Sequence, residues 1–209
     1  MKNTTKFRLD GNHVTFKKPL VSLTTLKELR TLPNDKRRYL KMYKLFFKLR
    51  NIIDVKEFNT STYQSIIRRS FKYHDFNSRR GVFLNAQPES KEVIFERMVN
   101  TLAFVFNSTV EIEHPKKEVL FFQDLVLPER TEKSIILTIL TMDTQKPDSI
   151  KYDFHYEWVA SLGKRVSLID ISAANKSDKG FLRQNMTLIG FRQYETDLMR
   201  LNECYKLCL

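Results

Sequence analysis

Residues 37–53 read RRYLKMYKLFFKLRNII. Tyr39, Met42, Tyr43, Phe46, Phe47, Leu49, Ile52 and Ile53 recur at spacings of three and four, and Arg38, Lys41, Lys44, Lys48 and Arg50 fill the gaps. That spacing predicts a helix with an aromatic, apolar stripe and an almost purely basic opposite face. Such a helix buries one side in its own fold and offers positive charge to something acidic.

The neighbouring segments predict two more helices. Asn34 or Asp35 supplies the cap of the first, with the Asp35 carboxylate near the positive end of the helix dipole. After a connection over residues 54–60, Thr60 or Ser61 caps a second helix over residues 62–76. Its inner stripe is Tyr63, Ile66, Ile67, Ser70, Phe71 and His74, with Arg68, Arg69 and Lys72 outside. Residues 77–88, with Gly81 and Pro88, read as loop, and Arg79 and Arg80 extend the basic surface to its end. Pro88 opens a third helix over residues 89–107, with Val93, Ile94, Met98, Leu102, Val105 and Phe106 inward. Three helices with short loops over residues 34–109 predict an up-and-down, antiparallel bundle.

Residues 110–209 read as a less regular helical extension packed on that bundle. Residues 116–124 are a short apolar piece. Helices are expected over 131–142 (Ile- and Thr-rich, so a strand is also open), over 150–162 with Gly163 as stop, and over 195–207. Residues 166–171 read as extended and 172–180 as loop. Residues 1–33 are basic, hydroxylated and poor in acid, the composition of a basic arm or a mitochondrial leader.

Charge is concentrated at one end. Of the net +12, residues 1–81 carry +14, from 20 Lys and Arg against 6 Asp and Glu, and the rest carries −2. A partner attracted by charge therefore docks on the first part of the chain, and an acidic protein, nucleic acid or an anionic membrane surface all fit. No run of 18 apolar residues is present, so no membrane span is expected. The count of two cysteines, Cys204 and Cys208, excludes a disulfide scaffold.

No catalytic or metal apparatus is evident. Five glycines form no phosphate-binding loop, and no Gly-x-Ser-x-Gly elbow occurs. Glu111 with Glu113, and Asp143 with Asp148, carry no mark of an acid–base couple. Asp153, His155 and Glu157 fall on different faces of a helix, which argues against a shared metal. The expectation is a non-enzymatic protein with no catalytic residues, no metal and no directly bound cofactor.

Two family resemblances follow from these residues. Met42-Tyr43-Lys44 with Phe46-Phe47-Lys48, and Phe71 within Arg68-Arg69-Ser70-Phe71-Lys72, resemble the LYR-motif family of small mitochondrial proteins over residues 36–107. Met stands for Leu and Lys for Arg in the triplet. The resemblance implies a mainly α fold built on a three-helix LYR-like bundle. It also implies a mitochondrial acyl carrier protein as acidic partner, gripped by Arg38, Lys41, Lys44, Lys48, Arg68, Arg69 and Lys72. The partner's acyl-phosphopantetheine would then enter a tunnel or core lined by Tyr43, Phe47 and Phe71. Lys in place of a bidentate Arg weakens such a grip.

Across residues 20–209 the chain also resembles the budding-yeast increased recombination centers protein 19 family. The matching stretches are residues 44–47, 101–108 and 139–142, and the tail from Phe191 through Asp197 to Leu201-Asn202-Glu203. That resemblance implies mitochondrial (matrix) localisation and a role in mitochondrial DNA maintenance, respiratory growth and sporulation. The alternative is direct nucleic-acid binding, with the same cations on phosphates.

Overall fold

The computed structural model describes residues 7–10, 13–16, 23–50, 52–54, 56–109, 129–169 and 176–209, the first two stretches and residues 129–130 as backbone only. The apolar piece expected over 116–124, Glu111 and Glu113 lie outside the described residues, as do residues 1–6, 11–12 and 17–22 of the expected arm or leader. Where described, the chain is mainly α, as the periodicity predicts. A two-stranded antiparallel hairpin, β1 (Phe7–Asp10) and β2 (His13–Phe16), precedes the helices, in a register pairing Phe7 with Phe16.

Short α1 (Leu26–Arg30) is capped by Thr25 and drives a fully buried Leu29 into the core. The basic arm expected over residues 1–33 is thus part of the folded body at its C-terminal end. Helix α2 (Asp35–Leu49) starts as the sequence predicts, with the Asn34 side chain accepting from the Arg37 N–H. Its core residues are Met42, Leu45, Phe46 and Leu49, so the buried stripe includes Leu45 and leaves Tyr39 at the rim. Helix α3 (Glu57–Lys72) begins a turn earlier than expected. Asp54 prepares that start by accepting from the Lys56 backbone and the Asn59 side chain.

The loop expected over residues 77–88 is a helix for most of its length, α4 (Phe76–Leu84). Asp75 caps its start through Ser78, and Asn85 ends it in the left-handed conformation (φ 53°) that Asn tolerates. Gly81 sits mid-helix, and nothing outside the helix backbone lies within 4 Å of where a Cβ would be, so it signals no turn there. Helix α5 (Lys91–Thr109) follows, its first turn held by Ser90.

The second half forms α6 (Glu129–Gln145), α7 (Asp148–Lys151), α8 (Glu157–Ser167), α9 (Lys176–Gln184) and α10 (Met186–Tyr205). Gly163 does not stop α8; it makes room for the Arg192 guanidinium, 3.4 Å from where a Cβ would lie. Residues 166 and 167, expected to be extended, complete α8, and α9 replaces most of the expected loop. Asp153 leaves the expected helix and accepts from the backbones of His155 and Trp158, fixing the entry to α8.

Helices α2, α3, α6 and α5 touch in a closed ring. The first turns of α2 and α5 are paired through Lys91–Asp35 (3.0 Å) and Arg38–Glu92 (2.7 Å), and further along Tyr39 packs on Phe95. These successive contacts run in step, so α2 and α5 point the same way. Ile136 and Leu140 of α6, and Leu207 after α10, join the same apolar core as Met42, Phe95 and Leu102. Helix α6 and the last turn of α10 with the residues after it therefore belong to the bundle's own core, and are not laid on a finished three-helix unit. Helix α10 packs on α4, α8 and α9.

Candidate docking face

The predicted basic face survives along the seam between α2 and α3. Lys44 and Lys48 are exposed one turn apart on α2, and Arg68 and Lys72 are exposed one turn apart on α3. Phe47 joins the two rows. The Arg68 guanidinium carbon lies 5.7 Å from its ring centroid, and that of Arg50 lies 3.9 Å away. Beneath them Tyr43 stacks on Phe47 (5.6 Å) and meets Phe71 edge-on (5.5 Å), while Phe46 lies 5.8 Å from Phe71. Tyr43, Phe47 and Phe71 are half-buried, with Tyr43 and Phe71 packed against the core. Among the described residues no carboxylate pairs with Lys44, Lys48, Arg68 or Lys72. Four cations with an aromatic ring between them are thus left facing outward.

The other predicted contacts are not available in the same way. Arg69 points inward: it is 8 % exposed, its Nη1 donates to Ser65 (2.9 Å), and its Nη2 donates to Asp143 of α6 (2.5 Å). One residue along a helix is a turn of about 100°, which separates Arg69 from its exposed neighbour Arg68. Arg38 is held by Glu92 and by Asp35 (3.7 Å), over the Phe95 ring. Lys41 lies 3.6 Å from Glu28 of α1. Those three cations serve the chain's own packing.

Arg79 and Arg80, expected on the surface, are also interior. Arg79 donates to Glu195 (2.6 and 3.1 Å) and to the Leu209 carbonyl (2.6 Å), and Lys146 bonds the other Glu195 oxygen. Burial alone would raise the Glu195 pKa, but Arg79 and Lys146 outweigh it and hold the carboxyl at about 2. Arg80 donates to Glu203 and to the Gln87 carbonyl. Arg97, fully buried, donates to Glu89 (2.6 Å), Glu203 (3.0 Å) and the carbonyls of Asn202 and Leu207. These networks pin α4, α5 and α10 together. The sequence did hold a signal for Arg97: it lies in phase with Ile94, Met98 and Thr101 on the apolar face, so helical register puts a cation inside.

Between α3, α5, α6 and α10 lies a cavity of about 450 Å³. Phe46, Phe71 and several aliphatic side chains form its body, and Glu195, Arg79, His74 and Tyr156 stand at a polar end. His74 Nδ1 lies 3.0 Å from the Tyr156 hydroxyl. Burial, followed by the nearby Arg79 and Arg69, lowers the His74 pKa to about 4, so the ring is neutral at pH 7. Burial likewise pushes the Tyr156 hydroxyl up to about 12. Tyr43 and Phe47 are not on the wall of this cavity; Phe71 is. The three residues expected to line one tunnel are therefore split between the outer seam and the interior.

Asp143 and Asp148 have separate structural roles, the first against Arg69 and the second in the opening turn of α7. Among the described residues, no three His, Cys, Asp or Glu side chains gather as metal ligands. No helix there is long and apolar enough to cross a membrane. Cys204 is exposed and Cys208 half-buried, both as free thiols; burial first of all raises the Cys208 pKa, to about 11.

No curated protein and no solved structure matches the chain. The model of one family does, over residues 4–209, which is nearly the whole length, and the family's description points to recombination and genome maintenance. On that match the chain belongs to the increased recombination centres protein 19 family.

Proposed function

We propose that this chain is a non-enzymatic mitochondrial adapter in genome maintenance that docks an acidic protein on the α2/α3 seam. The observation carrying the proposal is the paired row of exposed cations, Lys44, Lys48, Arg68 and Lys72, around Phe47, none with a carboxylate partner among the described residues. Its position on the first two long helices is where the LYR resemblance places the grip on an acyl carrier protein. Charge on such a face steers an oppositely charged partner and sets its register. Respiratory growth and sporulation would depend on the protein through this maintenance role. Tagged protein purified from mitochondria tests the reading: the carrier protein should co-purify. Reversal of all four cations to Glu should remove it, and equal recovery with the reversed face would refute the assignment.

The family's tie to recombination favours a second reading, in which the same cations contact DNA or RNA phosphates. That reading requires affinity that falls steeply with salt, strongest at about 50 mM. Absent or salt-independent binding there would eliminate it.

A further inference from the structure

The cavity lies behind the outer seam, with Phe46 and Phe71 between them, and has a chemistry of its own. Its body is apolar, with Ile66, Phe71, Met98, Ile136, Ile139 and Leu140 on the walls. A dry cavity of about 150 Å³ already admits benzene, and ligand pockets run from about 300 Å³ upward. At about 450 Å³ this one is large enough for a molecule well beyond benzene. The cavity is partly open to solvent, with exposed Tyr39, Ser70 and Asp75 on its wall, and an apolar occupant would displace water from its apolar surfaces.

The charged side chains on the wall decide what kind of polar end the occupant carries. Arg69 is paired with Asp143, Arg79 and Lys146 with Glu195, and Lys151 with Asp148 (3.7 Å); Asp75 caps α4. Every one of these charges is engaged before a ligand arrives. An ionised head group would enter without a counter-charge and bear the cost of burial. Neutral groups remain: the His74–Tyr156 pair, Tyr194 and the Trp158 ring.

We infer that the cavity between α3, α5, α6 and α10 binds an uncharged, mainly apolar small molecule through an alcohol or carbonyl oxygen at its polar end. The site does not depend on the docking seam, and a charge-reversed seam should leave it intact.

The test uses the full chain and N-phenyl-1-naphthylamine, an uncharged fluorescent probe. One probe should bind per chain and be displaced by dodecanol, with dodecanoate and dodecylamine at least ten times weaker. Dodecanol should also shift the emission of Trp158, the single tryptophan. Ile139→Trp, which fills the cavity from α6, should abolish probe binding while retaining the helical circular dichroism. Ile66→Trp does the same from α3, so the question stays answerable if one variant fails to fold. No probe binding to the wild-type chain, binding unchanged in a folded cavity-filled variant, or dodecanoate equal to dodecanol would overturn the inference.

Discussion

Glu195→Gln is the sharpest perturbation of the fold. Glu195 is 6 % exposed and accepts from both Arg79 and Lys146, so the change leaves two buried cations facing a neutral amide. Breaking a buried pair in this way costs about 3–5 kcal/mol. A chain of this length shifts by roughly 2–4 °C per kcal/mol, so the melting temperature should fall by roughly 6–20 °C. The assays are thermal unfolding for the melting temperature and urea unfolding at pH 7 for the free energy, both followed by the emission of Trp158. Replacing the whole triad, Arg79→Met with Lys146→Met and Glu195→Met, removes the stranded charges and should recover much of the loss, because apolar replacements of buried ion networks are often neutral. A Glu195→Gln chain within about 1 kcal/mol of wild type would refute the claim that this carboxylate neutralises two interior cations.

Two further predictions concern the same interior. The His74 ring has its pKa lowered to about 4 and the Glu195 carboxyl to about 2, so the unfolded chain takes up protons first as pH falls. The stability from His74 is full above about pH 6.5 and is lost toward pH 4, roughly 3 kcal/mol for that group. The loss from Glu195 follows between about pH 4.5 and 2. Urea midpoints from pH 7.5 to pH 4 should therefore fall, and His74→Gln should flatten the upper part of that fall. Leu140→Ala on α6 should cost about 2–5 kcal/mol, as much as Leu102→Ala on α5, because both side chains sit in the one core. Near-neutral Leu140→Ala would return α6 to the status of an extension.

The sequence made α2, α3 and α5 legible because each carries a long apolar stripe at helical spacing; the expected starts of the latter two were displaced, with Thr60 and Ser61 lying inside α3 and α5 opening at Lys91. Asn34 capped as expected: a short side-chain acceptor before an apolar run has few other uses. Helix α4 was hidden by Gly81 and by the absence of a strong stripe, and what fixes it is capping by Asp75 and Asn85 together with contacts to α10. The fate of the arginines was also hidden. Arg68 and Arg69 are alike in composition; helical phase sets them on different faces, and Asp143, 74 residues further on, is the partner that holds Arg69 inward. Arg79 and Arg80 likewise await Glu195 and Glu203, more than 100 residues away. A net charge reports how many cations a segment holds, not which have carboxylates waiting across the fold.

The most direct test of the docking face is a titration of purified mitochondrial acyl carrier protein against the full chain at about 50 mM salt, where electrostatic contacts are least screened. Lys44→Glu, Lys48→Glu, Arg68→Glu and Lys72→Glu together should weaken binding by about 100-fold. Lys164→Glu with Arg165→Glu, exposed on α8 and not part of the seam, should cost far less, within about threefold. An undiminished affinity in the first variant, or an equal loss in both, would contradict a docking site on the α2/α3 seam.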